Sequence, residues 1–291
     1  MNKRVAAVIV LHKPNVQKLV SLIGVLKSLS IDCFVIDNTP PNEIHEASVL
    51  TCQPNYIALG SNEGIARAQN IGIKKAIQND ADILILLDQD SEVSKNCLQI
   101  QIDNIVRSDS EISVPTLIDR KEGFEYPHSC VNRFGLLTDR YRSGKTKPFQ
   151  IDMAISSGSV ISANVFQKVG YFEESFFIDF VDIEWYFRCW SNGVLVKSDP
   201  RAIMFHSIGQ RSVKRFGVRT IVHSSQRNYF KLRNPFRLLK IKTVPKVYAV
   251  NEIFAGICHS VVQIPLSDNP LAHVKYSLRG LRDGLMILFF N

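Results

Sequence analysis

The acidic sequence Asp88-Gln89-Asp90 directly follows a run of five apolar residues, Ile83 to Leu87. Such a run, ended by turn residues, is typical of a fully covered central strand. Two carboxylates one residue apart in the turn can face one hard cation, and Mg²⁺ or Mn²⁺ would bridge them to a diphosphate. Two other interpretations fit the same residues. In the first, Asp90 merely caps the next helix. In the second, Asp88 is the nucleophile of a phosphatase, although the acidic motif of such phosphatases usually follows the first strand of the fold.

Two further polar segments carry residue types suited to binding a nucleotide. Asp37-Asn38 follows the short apolar run Cys33 to Ile36 and leads into a Thr-Pro-Pro stop. The segment 62–72 reads Asn-Glu-Gly-Ile-Ala-Arg-Ala-Gln-Asn-Ile-Gly and begins a helix at a capping residue. Gly64 within it lets a backbone approach a ligand closely. An ordinary helix cap without a ligand would explain the same residues.

The elements that must position these segments alternate between strands and helices in the first half of the chain. Apolar runs predict strands, and apolar residues three and four apart predict helices. The predicted strands are 6–11, 33–36, 56–58 and 83–87, and the predicted helices are 15–29 and 64–77. This alternation favours an α/β fold with a mostly parallel, Rossmann-like central sheet flanked by helices, whose ligands bind beyond the carboxyl ends of the strands. Both acidic turns are predicted at that edge.

The second half of the chain is less regular. Residues 115–150 are rich in Gly, Pro, Arg and Lys, and we expect a surface excursion there. Order resumes at 151–155, followed by Ser156-Ser157-Gly158-Ser159 and by a patch of aromatic and acidic residues from Phe176 to Trp185. From about residue 210 the chain is basic and helix-like. We therefore expect one domain over 1–210 and a mostly helical C-terminal extension over 211–291.

Composition places the chain among ordinary globular proteins, but its charge is uneven. Of the 291 residues, 45% are hydrophobic and 21% are charged, which excludes disordered, collagen-like and coiled-coil classes. The net charge is +8, yet the segment 200–251 holds twelve Lys or Arg and no acid, which leaves 23 basic and 27 acidic residues elsewhere. A locally basic surface indicates a local anionic partner. No RNP, helix-turn-helix or finger pattern is present, so we expect no nucleic-acid partner.

The cysteines and the N-terminus bear on the compartment. The six cysteines are scattered without a CxxC pair, and several lie in apolar runs typical of reduced, buried thiols. Residues 5–11 are apolar after a charged start, but the run is short and lacks a small-residue cleavage site. No stretch approaches the ~20 apolar residues that a membrane span needs. These features predict a cytoplasmic protein.

Taken together, the motifs resemble the second family of inverting glycosyltransferases, which have the GT-A fold. The form Asn-x-Gly-Ile-Ala-x-Ala-x-Asn-x-Gly-Ile over 62–73, followed by Leu-Asp-Gln-Asp-Ser over 87–91, is most similar to the bacterial rhamnosyltransferases of that family. The likeness continues in 177–185, in His206 and in Arg227-Asn228. The resemblance implies a sugar-nucleotide-dependent transferase that uses dTDP-L-rhamnose and builds a cell-surface polysaccharide such as O-antigen or capsule.

By this resemblance, the donor and its metal, Mg²⁺ or Mn²⁺, lie at the predicted sheet edge. Asp37 would hydrogen-bond the pyrimidine near the backbone of Leu11, Asp90 would hold the metal, and Asp88 would meet the ribose or the metal. The residues implied to bind the nucleotide sugar are Leu11, Asp37, Asn38, Asn62, Gly64, Asn70, Asp88, Gln89, Asp90 and Arg227. The residues implied to hold the metal are Asp88, Asp90 and His206.

Inverting transfer needs one base, which deprotonates the acceptor hydroxyl as that hydroxyl attacks the anomeric carbon. The resemblance places the base in the acidic patch, where Asp182 is the candidate. Val181 stands where an acid is common in the family, which leaves Asp179 or Glu184 as substitutes. Apolar neighbours would desolvate the carboxylate and raise its pKa. The implied acceptor-binding residues are Ser157, Gly158, Asp179, Glu184 and Trp185, although Trp185 as a core residue and Asp182 as a helix cap fit the sequence as well.

The basic segment has three interpretations: a solvated helical face, a grip on the donor diphosphate through Arg227, or contact with anionic lipid. Its charges interleave with Phe216, Tyr229, Phe230, Phe236, Leu238 and Leu239, as in interfacial amphipathic stretches. We expect peripheral membrane association, because an acceptor carried on a polyprenyl diphosphate would lie at that surface. Three other functions remain open on the sequence: another sugar donor on the same scaffold, an Asp-nucleophile phosphatase, and a non-catalytic binder with a basic arm.

Overall fold

A computed structural model describes residues 3–42, 54–107, 110–120, 123–141, 145–206, 212–215, 218–221 and 223–290, and between 206 and 221 it describes only backbone. Within these residues the chain forms thirteen strands and eight α-helices. The strands are β1 (Val5–Leu11), β2 (Asp32–Asp37), β3 (Tyr56–Ala58), β4 (Ile83–Asp88), β5 (Glu92–Val93), β6 (Ile112–Asp119), β7 (His128–Val131), β8 (Leu137–Arg140), β9 (Phe149–Ile151), β10 (Val160–Ser162), β11 (Val196–His206), β12 (Ser212–Arg215) and β13 (Val218–Ile221). The helices are α1 (Val16–Lys27), α2 (Ile65–Gln78), α3 (Lys95–Arg107), α4 (Ala163–Val169), α5 (Val181–Ser191), α6 (Ser225–Lys240), α7 (Lys246–Gln263) and α8 (Pro270–Phe290).

One mixed, mostly parallel sheet organises the molecule. Its strand order is β3-β2-β1-β4-β10-β6-β11-β5, and β9 also pairs with β11. The strands β3, β2, β1 and β4 are mutually parallel, and β6 is parallel to β11, whereas β10 runs antiparallel between β4 and β6. Because β1, β2 and β4 are parallel neighbours, Leu11, Asp37 and Asp88 end at the same edge of the sheet.

Burial on both faces explains why the central strands are continuously apolar. In β1, Ala6, Val8 and Val10 join the core beneath α2, α4 and α5, whereas Ala7, Ile9 and Leu11 join the core beneath α1 and α3. Side chains of a strand alternate between the faces, so a strand covered on both sides needs apolar residues at every position. The prediction of a mostly parallel α/β sheet flanked by helices is confirmed.

The C-terminal helices pack together beside the sheet. Helix α6 lies between α7 and α8, and the buried face of α8 carries Gly280 and Gly284. A Cβ at Gly280 would lie 2.6 Å from the carbonyl oxygen of Tyr229, so only glycine permits this close helix approach. Leu238 and Tyr248 extend the main core into this helical part.

Some predicted elements were wrong in the second half. Residues 115–150 are not wholly a surface excursion, because β6 begins at Ile112 and pairs in the central sheet despite Pro115. The order predicted at 151–155 falls on the end of β9 and an irregular segment. The basic segment is not helical throughout, since the backbone over 212–215 pairs with that over 218–221 as antiparallel strands before α6.

Gly72 in α2 provides a test of the packing between this helix and the sheet. A Cβ at Gly72 would collide with the side chain of Val8 and lie 3.1 Å from Cγ1 of Ile36. We therefore expect Gly72→Ala to lower the free energy of unfolding by about 1–3 kcal/mol through overpacking, measured by urea denaturation. Gly24→Ala in α1 is the matched control, because nothing lies within 4 Å of its Cβ position. Relief of glycine's backbone entropy should make Gly24→Ala stabilising by about 0.5–1 kcal/mol. Equal stabilisation by both substitutions would contradict the packing described.

Candidate active site

A cleft of about 530 Å³ opens at the carboxyl ends of the parallel strands. The ends of β1 and β4 form its floor, and the N-terminal ends of α2 and α5 flank it. Its lining residues are Val10, Leu11, His12, Asn38, Asn62, Gly64, Ile65, Asp88, Gln89, Asp90, Ile155, Ser156, Ser157, Phe177, Ile178, Asp179, Phe180, Val181, Asp182 and Arg227. Most of the predicted donor residues and the predicted base therefore share one cavity.

Hydrogen bonds from neighbouring segments fix the acidic turn at the end of β4. The backbone N–H of Asp88 donates to Ser91 Oγ at 3.0 Å and to Ser157 Oγ at 3.3 Å. The side chain of Gln89 accepts from the His12 backbone N–H at 2.7 Å and donates to the His12 carbonyl at 3.0 Å. This reciprocal pair ties the turn to the end of β1. The Asp90 side chain is exposed to the cleft.

The nucleotide side of the cleft is held by a network of short polar side chains. Asn38 donates to Asn62 Oδ1 at 3.1 Å, and its own Oδ1 accepts from the Glu63 backbone N–H at 2.7 Å. Asp37 lies behind this surface, only 2% exposed, and its carboxylate accepts from the Thr39 N–H at 3.0 Å and the Tyr56 hydroxyl at 2.5 Å. Asp37 thereby orders the turn that presents Asn38, and its contact with a pyrimidine stays a prediction.

Asp182 stands in the first turn of α5 and is partly buried. Burial raises the pKa of its carboxyl group to about 6, and the nearby charges of Asp88 and Asp179 add to this shift. Hydrogen bonds from the hydroxyl and the backbone N–H of Ser156 oppose the shift. Gln69 in turn donates to Ser156 Oγ at 3.0 Å, which orients the hydroxyl. The site therefore presents a carboxylate with the proton affinity suited to a general base near neutral pH.

Asp179 and Arg227 form an ion pair across the mouth of the cleft. The guanidinium Nε lies 3.2 Å and 3.1 Å from the two carboxylate oxygens, and Nη2 lies 2.9 Å from Oδ1. The carboxylate raises the pKa of Arg227 although burial opposes the shift, and Asp88 contributes at longer range. Arg227 thus brings a positive charge to the cleft, with Asp179 as its partner in the protein.

The cleft offers oxygen ligands suited to a divalent cation. Among the described residues, no three His, Cys, Asp or Glu side chains are grouped closely enough to hold a metal ion by themselves. Asp88 and Asp90 nevertheless lie in one turn of the cleft wall. Mg²⁺ is commonly held by one or two carboxylates together with the phosphates of a substrate, and this donor set fits that arrangement. Strand β11 ends at His206, whose side chain lies outside the description, so its predicted role as a metal ligand stays a prediction.

Several residues predicted to bind ligands lie outside the cleft. Asn70 is buried on α2, where Nδ2 donates to the Phe172 carbonyl at 2.9 Å and Oδ1 accepts from the Phe172 N–H at 3.0 Å. Gly158 has φ +84°, and a Cβ there would lie 2.8 Å from Pro115 and 2.9 Å from Met204. Both residues join segments of the scaffold and neither lines the cleft, so their contacts with ligands stay predictions.

Glu184 and Trp185 belong to the core, which for Trp185 is one of the two positions that the sequence left open, and the acceptor contacts implied by the resemblance stay predictions. Glu184 is 2% exposed and forms a two-point ion pair with Arg188, with both N–O distances at 2.7 Å. Trp185 is fully buried, and its Nε1 donates to the Gly170 carbonyl at 2.8 Å. Helix periodicity accounts for Glu184, since the position two after Asp182 turns to the opposite side of α5.

Sequence reasoning missed Ser156, Gln69 and His12. The sequence offered a weak signal for Ser156, because it adjoins the predicted Ser157-Gly158. Gln69 lies within the segment 62–72, which the sequence analysis considered for nucleotide binding without naming this residue. His12 stands at the end of β1, which is the edge where parallel strands bind ligands.

A second cavity of about 510 Å³ adjoins the cleft and shares Asp179 and Phe180 with it. Its far wall comes from α6 and α7, with Lys231, Glu252 and His259 among the lining residues. Burial lowers the pKa of Lys231 and of His259 and raises that of Glu252, so the low polarity of this cavity disfavours every one of these charges. The two cavities together connect the acidic turn with the C-terminal helices.

Comparison with known proteins decides which family this arrangement represents. Residues 14–170 match Glycosyl transferase family 2. Over 285 residues the chain is 33% identical to dTDP-rhamnosyl transferase RfbF of Shigella flexneri, an alignment that covers 98% of this chain and 96% of that protein. The chain belongs to glycosyltransferase family 2. This glycosyltransferase is therefore an enzyme, as the resemblance implied, and the phosphatase and the non-catalytic binder are set aside.

Two further similarities are more distant. The glycosyltransferase is 27% identical over 165 residues to the low-salt glycan biosynthesis hexosyltransferase Agl10 of Haloferax volcanii, covering 53% of this chain and 52% of that protein. It is also similar to GalNAc-T7, crystallised with UDP, GalNAc and Mn²⁺, with a TM-score of 0.57 and 17% identity. That alignment covers 80% of this chain and about half of GalNAc-T7, 51%. Together with the family assignment, this likeness of fold confirms the expected GT-A architecture.

The environment of Asp182 predicts the pH dependence of the glycosyltransferase. A base must be ionised, and its raised pKa means that the ionised fraction is lost as pH falls through about 6. We expect turnover of the sugar nucleotide to fall about tenfold per pH unit below that value. Ser156→Ala removes a hydrogen bond that stabilises the carboxylate, so the acid limb of kcat/KM should move to higher pH.

Ser159→Ala is the matched control for this shift. The Ser159 hydroxyl contacts the Tyr186 hydroxyl at 2.9 Å and the Ile155 carbonyl at 2.8 Å, and not the Asp182 carboxylate. Its acid limb should stay where the wild-type limb lies. A profile that is flat between pH 5 and 8 in the wild-type enzyme would show that Asp182 is not the titrating base.

Proposed function

We propose that this glycosyltransferase transfers L-rhamnose from dTDP-L-rhamnose, with inversion, to a saccharide acceptor of a cell-surface polysaccharide. The observation that carries the transfer chemistry is the shared cleft, in which Asp182 and the Asp88–Asp90 turn line the same cavity. The choice of donor is supported by the nearly full-length similarity to a dTDP-rhamnosyl transferase. Another sugar nucleotide on the same scaffold is the second candidate.

Each described group has a distinct part in the proposed reaction. Asp182 takes the proton of the acceptor hydroxyl while that oxygen forms a bond to the anomeric carbon of the donor. The bond between the anomeric carbon and the diphosphate oxygen breaks on the opposite face, and its electron pair leaves with dTDP, which inverts the anomeric centre. A Mg²⁺ or Mn²⁺ ion bound by Asp88 and Asp90 would neutralise charge on the departing diphosphate. Arg227 adds positive charge at the same cleft.

Slow hydrolysis of the donor in the absence of acceptor tests this proposal. We expect the enzyme to release dTDP from dTDP-L-rhamnose in the presence of Mg²⁺ or Mn²⁺, and to release none above background after the metal is chelated. Chromatography measures the released dTDP. UDP-glucose, UDP-N-acetylgalactosamine and GDP-mannose serve as competing donors. Faster turnover of one of these would identify a different sugar, and no turnover of any donor with either metal would contradict the transferase site described.

Asp182→Asn separates chemistry from binding. We expect turnover to fall by about 10²–10⁴-fold, the usual contribution of a general base, while the dissociation constant of dTDP measured by calorimetry stays close to the wild-type value. Asp139→Asn is the matched control, because Asp139 is an exposed carboxylate on β8 outside the cleft. Wild-type turnover in Asp182→Asn would overturn the assignment of the base.

We further propose that the enzyme docks on an anionic membrane surface through α7 and α8. The aromatic and apolar residues that the sequence assigned to lipid contact do not form this surface. Phe236 and Leu238 are buried, Phe230 stacks on Phe177 with ring centroids 4.8 Å apart, and Phe216 lies outside the described residues. The exposed apolar side chains lie on the next two helices: Val247, Val250, Phe254, Val261 and Val262 on α7, and Leu271, Val274, Leu278, Leu285, Met286, Phe289 and Phe290 on α8.

Charge on the same surface favours anionic lipid. Lys275, Arg279 and Arg282 are exposed along α8 between its apolar residues, as in helices that lie in a membrane interface. Among the described residues, the helical stretch Lys246–Leu266 is by length and composition also able to cross a membrane, and only 22% of its apolar window is buried inside the protein. The expectation that no stretch would reach the length of a membrane span is therefore corrected. The second cavity reaches α7, which would give a lipid-linked acceptor a route to Asp179. Free, buried thiols at Cys33, Cys97, Cys130 and Cys189 support a reducing, cytoplasmic location.

Sedimentation with vesicles tests the docking proposal. We expect the enzyme to sediment with phosphatidylglycerol-containing vesicles at low salt, less at high salt, and hardly with pure phosphatidylcholine, because surface charge attracts the basic residues. Leu278→Glu should weaken binding, since Leu278 is 63% exposed on α8. Phe134→Glu is the matched control, because Phe134 is 61% exposed but lies on the β7–β8 hairpin loop. Equal binding to both vesicle types, or equal loss in both variants, would contradict this surface.

A further inference from the structure

The turn that leads into α5 has an unfavourable backbone conformation. Phe177, Asp179 and Phe180 have φ angles of +67°, +60° and +61°, in the left-handed region that non-glycine residues rarely adopt. Such strain persists only where the surroundings over-determine the conformation. Because Val181 begins α5 directly afterwards, this turn sets the direction of the helix that carries Asp182. The contacts that hold the turn therefore position the carboxylates of Asp179 and Asp182.

Asn234 of α6 holds three carbonyl groups of this turn. Its Nδ2 donates to the carbonyls of Phe176 at 3.1 Å, Ile178 at 2.8 Å and Asp179 at 3.0 Å. The side chain is fully buried, so no water competes for these bonds. Asparagine followed by Pro235 is an unfavourable pair inside a helix, because both residues weaken helical hydrogen bonding. A local rule broken in this way indicates a tertiary requirement.

Arg233 fixes the orientation of that amide and holds the start of the same segment. Its Nε and Nη2 donate to Asn234 Oδ1 at 3.0 Å and 2.7 Å, which directs the amide nitrogen toward the turn. Nη2 also donates to the Ser175 carbonyl at 2.8 Å and the Phe176 carbonyl at 3.1 Å. The guanidinium lies over the Phe230 ring, 4.8 Å from its centroid.

The remaining carbonyl of the segment is bonded from the opposite side. Phe177 accepts from the backbone N–H of Ile65, at the start of α2, at 2.8 Å. Gly64 is required beside it, since a Cβ there would lie 2.7 Å from the Phe177 carbonyl oxygen. Each carbonyl from Ser175 to Asp179 thus accepts a hydrogen bond from α6 or from the start of α2.

We propose that Arg233 and Asn234 are positioning residues that hold the strained turn 177–180 and thereby place Asp179 and Asp182 in the cleft. Neither side chain lines the cleft, so they act through the turn and not on a ligand. The catalytic consequence rests on the proposed function, whereas the effect on the turn does not. Arg233 and Asn234 lie six residues after Arg227 and Asn228, which belong to the motifs of the family resemblance.

Asn234→Ala tests the proposal with two independent measurements. Hydrogen exchange followed by mass spectrometry reports on the turn, where the N–H groups of Phe177 and Ile178 are bonded to the carbonyls of Glu174 and Phe176. We expect exchange over 175–182 to accelerate by about tenfold or more. We also expect kcat for donor turnover to fall by about tenfold or more, because the base is displaced, while the dissociation constant of dTDP changes little.

Asn228→Ala is the matched control on the same helix. Asn228 is also buried, at 1% exposure, but its Nδ2 donates to Ser260 Oγ at 3.0 Å and Ser277 Oγ at 2.8 Å, away from the turn. This variant should lose stability and yet keep wild-type exchange over 175–182 and wild-type kcat. Asn234→Asp should be at least as damaging as Asn234→Ala, because an acceptor-only carboxylate would face the carbonyls.

The outcomes separate this proposal from the proposed function. Unchanged exchange over 175–182 in Asn234→Ala, or equal losses of kcat in Asn234→Ala and Asn228→Ala, would overturn the positioning role. If the wild-type enzyme turned over no donor, exchange alone would still decide whether the pair holds the turn. Should Asn234→Ala not fold, Arg233→Lys carries the same test, since lysine lacks the fork that reaches both Asn234 and the Ser175 carbonyl.

Discussion

Carboxylates of Asp88, Asp90, Asp179 and Asp182 line one cleft, and the repulsion that Asp88 and Asp179 exert on Asp182 is a constraint that the surrounding structure must balance. Arg227 relieves it at Asp179 through a two-point ion pair. At Asp182 the repulsion from Asp88 and Asp179 adds to burial and raises the pKa to about 6. In the proposed reaction the turn of Asp88 and Asp90 would hold a divalent cation and the diphosphate of the donor, which would complete the charge balance.

Holding these charges at fixed places requires parts of the chain that are far apart in sequence. The sheet supplies Asp88 through β4, and α5 supplies Asp182 after a turn with three strained residues. The C-terminal helices act at this point, because Arg227 pairs with Asp179 while Arg233 and Asn234 hold the carbonyls of the turn. Helix α6 is therefore a structural component of the cleft and not an appendage to it. Helices α7 and α8 pack against α6, and their exposed apolar side chains lie at the surface of the protein.

This arrangement gives a physical reason for the position of the proposed membrane surface. The second cavity shares Asp179 and Phe180 with the cleft and borders α7. In the proposed function, an acceptor attached to a lipid would reach the cleft through this cavity with its lipid end beside that helix. The basic residues on α8 lie on the face that would meet lipid headgroups. In the proposed function, donor chemistry at the strand ends and acceptor delivery at the helices would thereby be connected through the turn 177–180.

The sequence by itself determined the central strands, the helices α1 and α2, and the polar turns at the strand ends, because apolar periodicity and turn residues act within a few neighbouring positions. These features also led to Asp88 and Asp90, whereas Asp182 followed from the resemblance to the glycosyltransferase family. Only the tertiary structure decided that Asn70, Glu184 and Trp185 lie in the interior, that Asp37 stands behind Asn38, that Ser156 hydrogen-bonds Asp182, and that Asn234 hydrogen-bonds the turn before α5. The partner of a polar group is the donor or acceptor that packing brings within about 3 Å, and that partner comes from a distant segment whose approach no local pattern encodes.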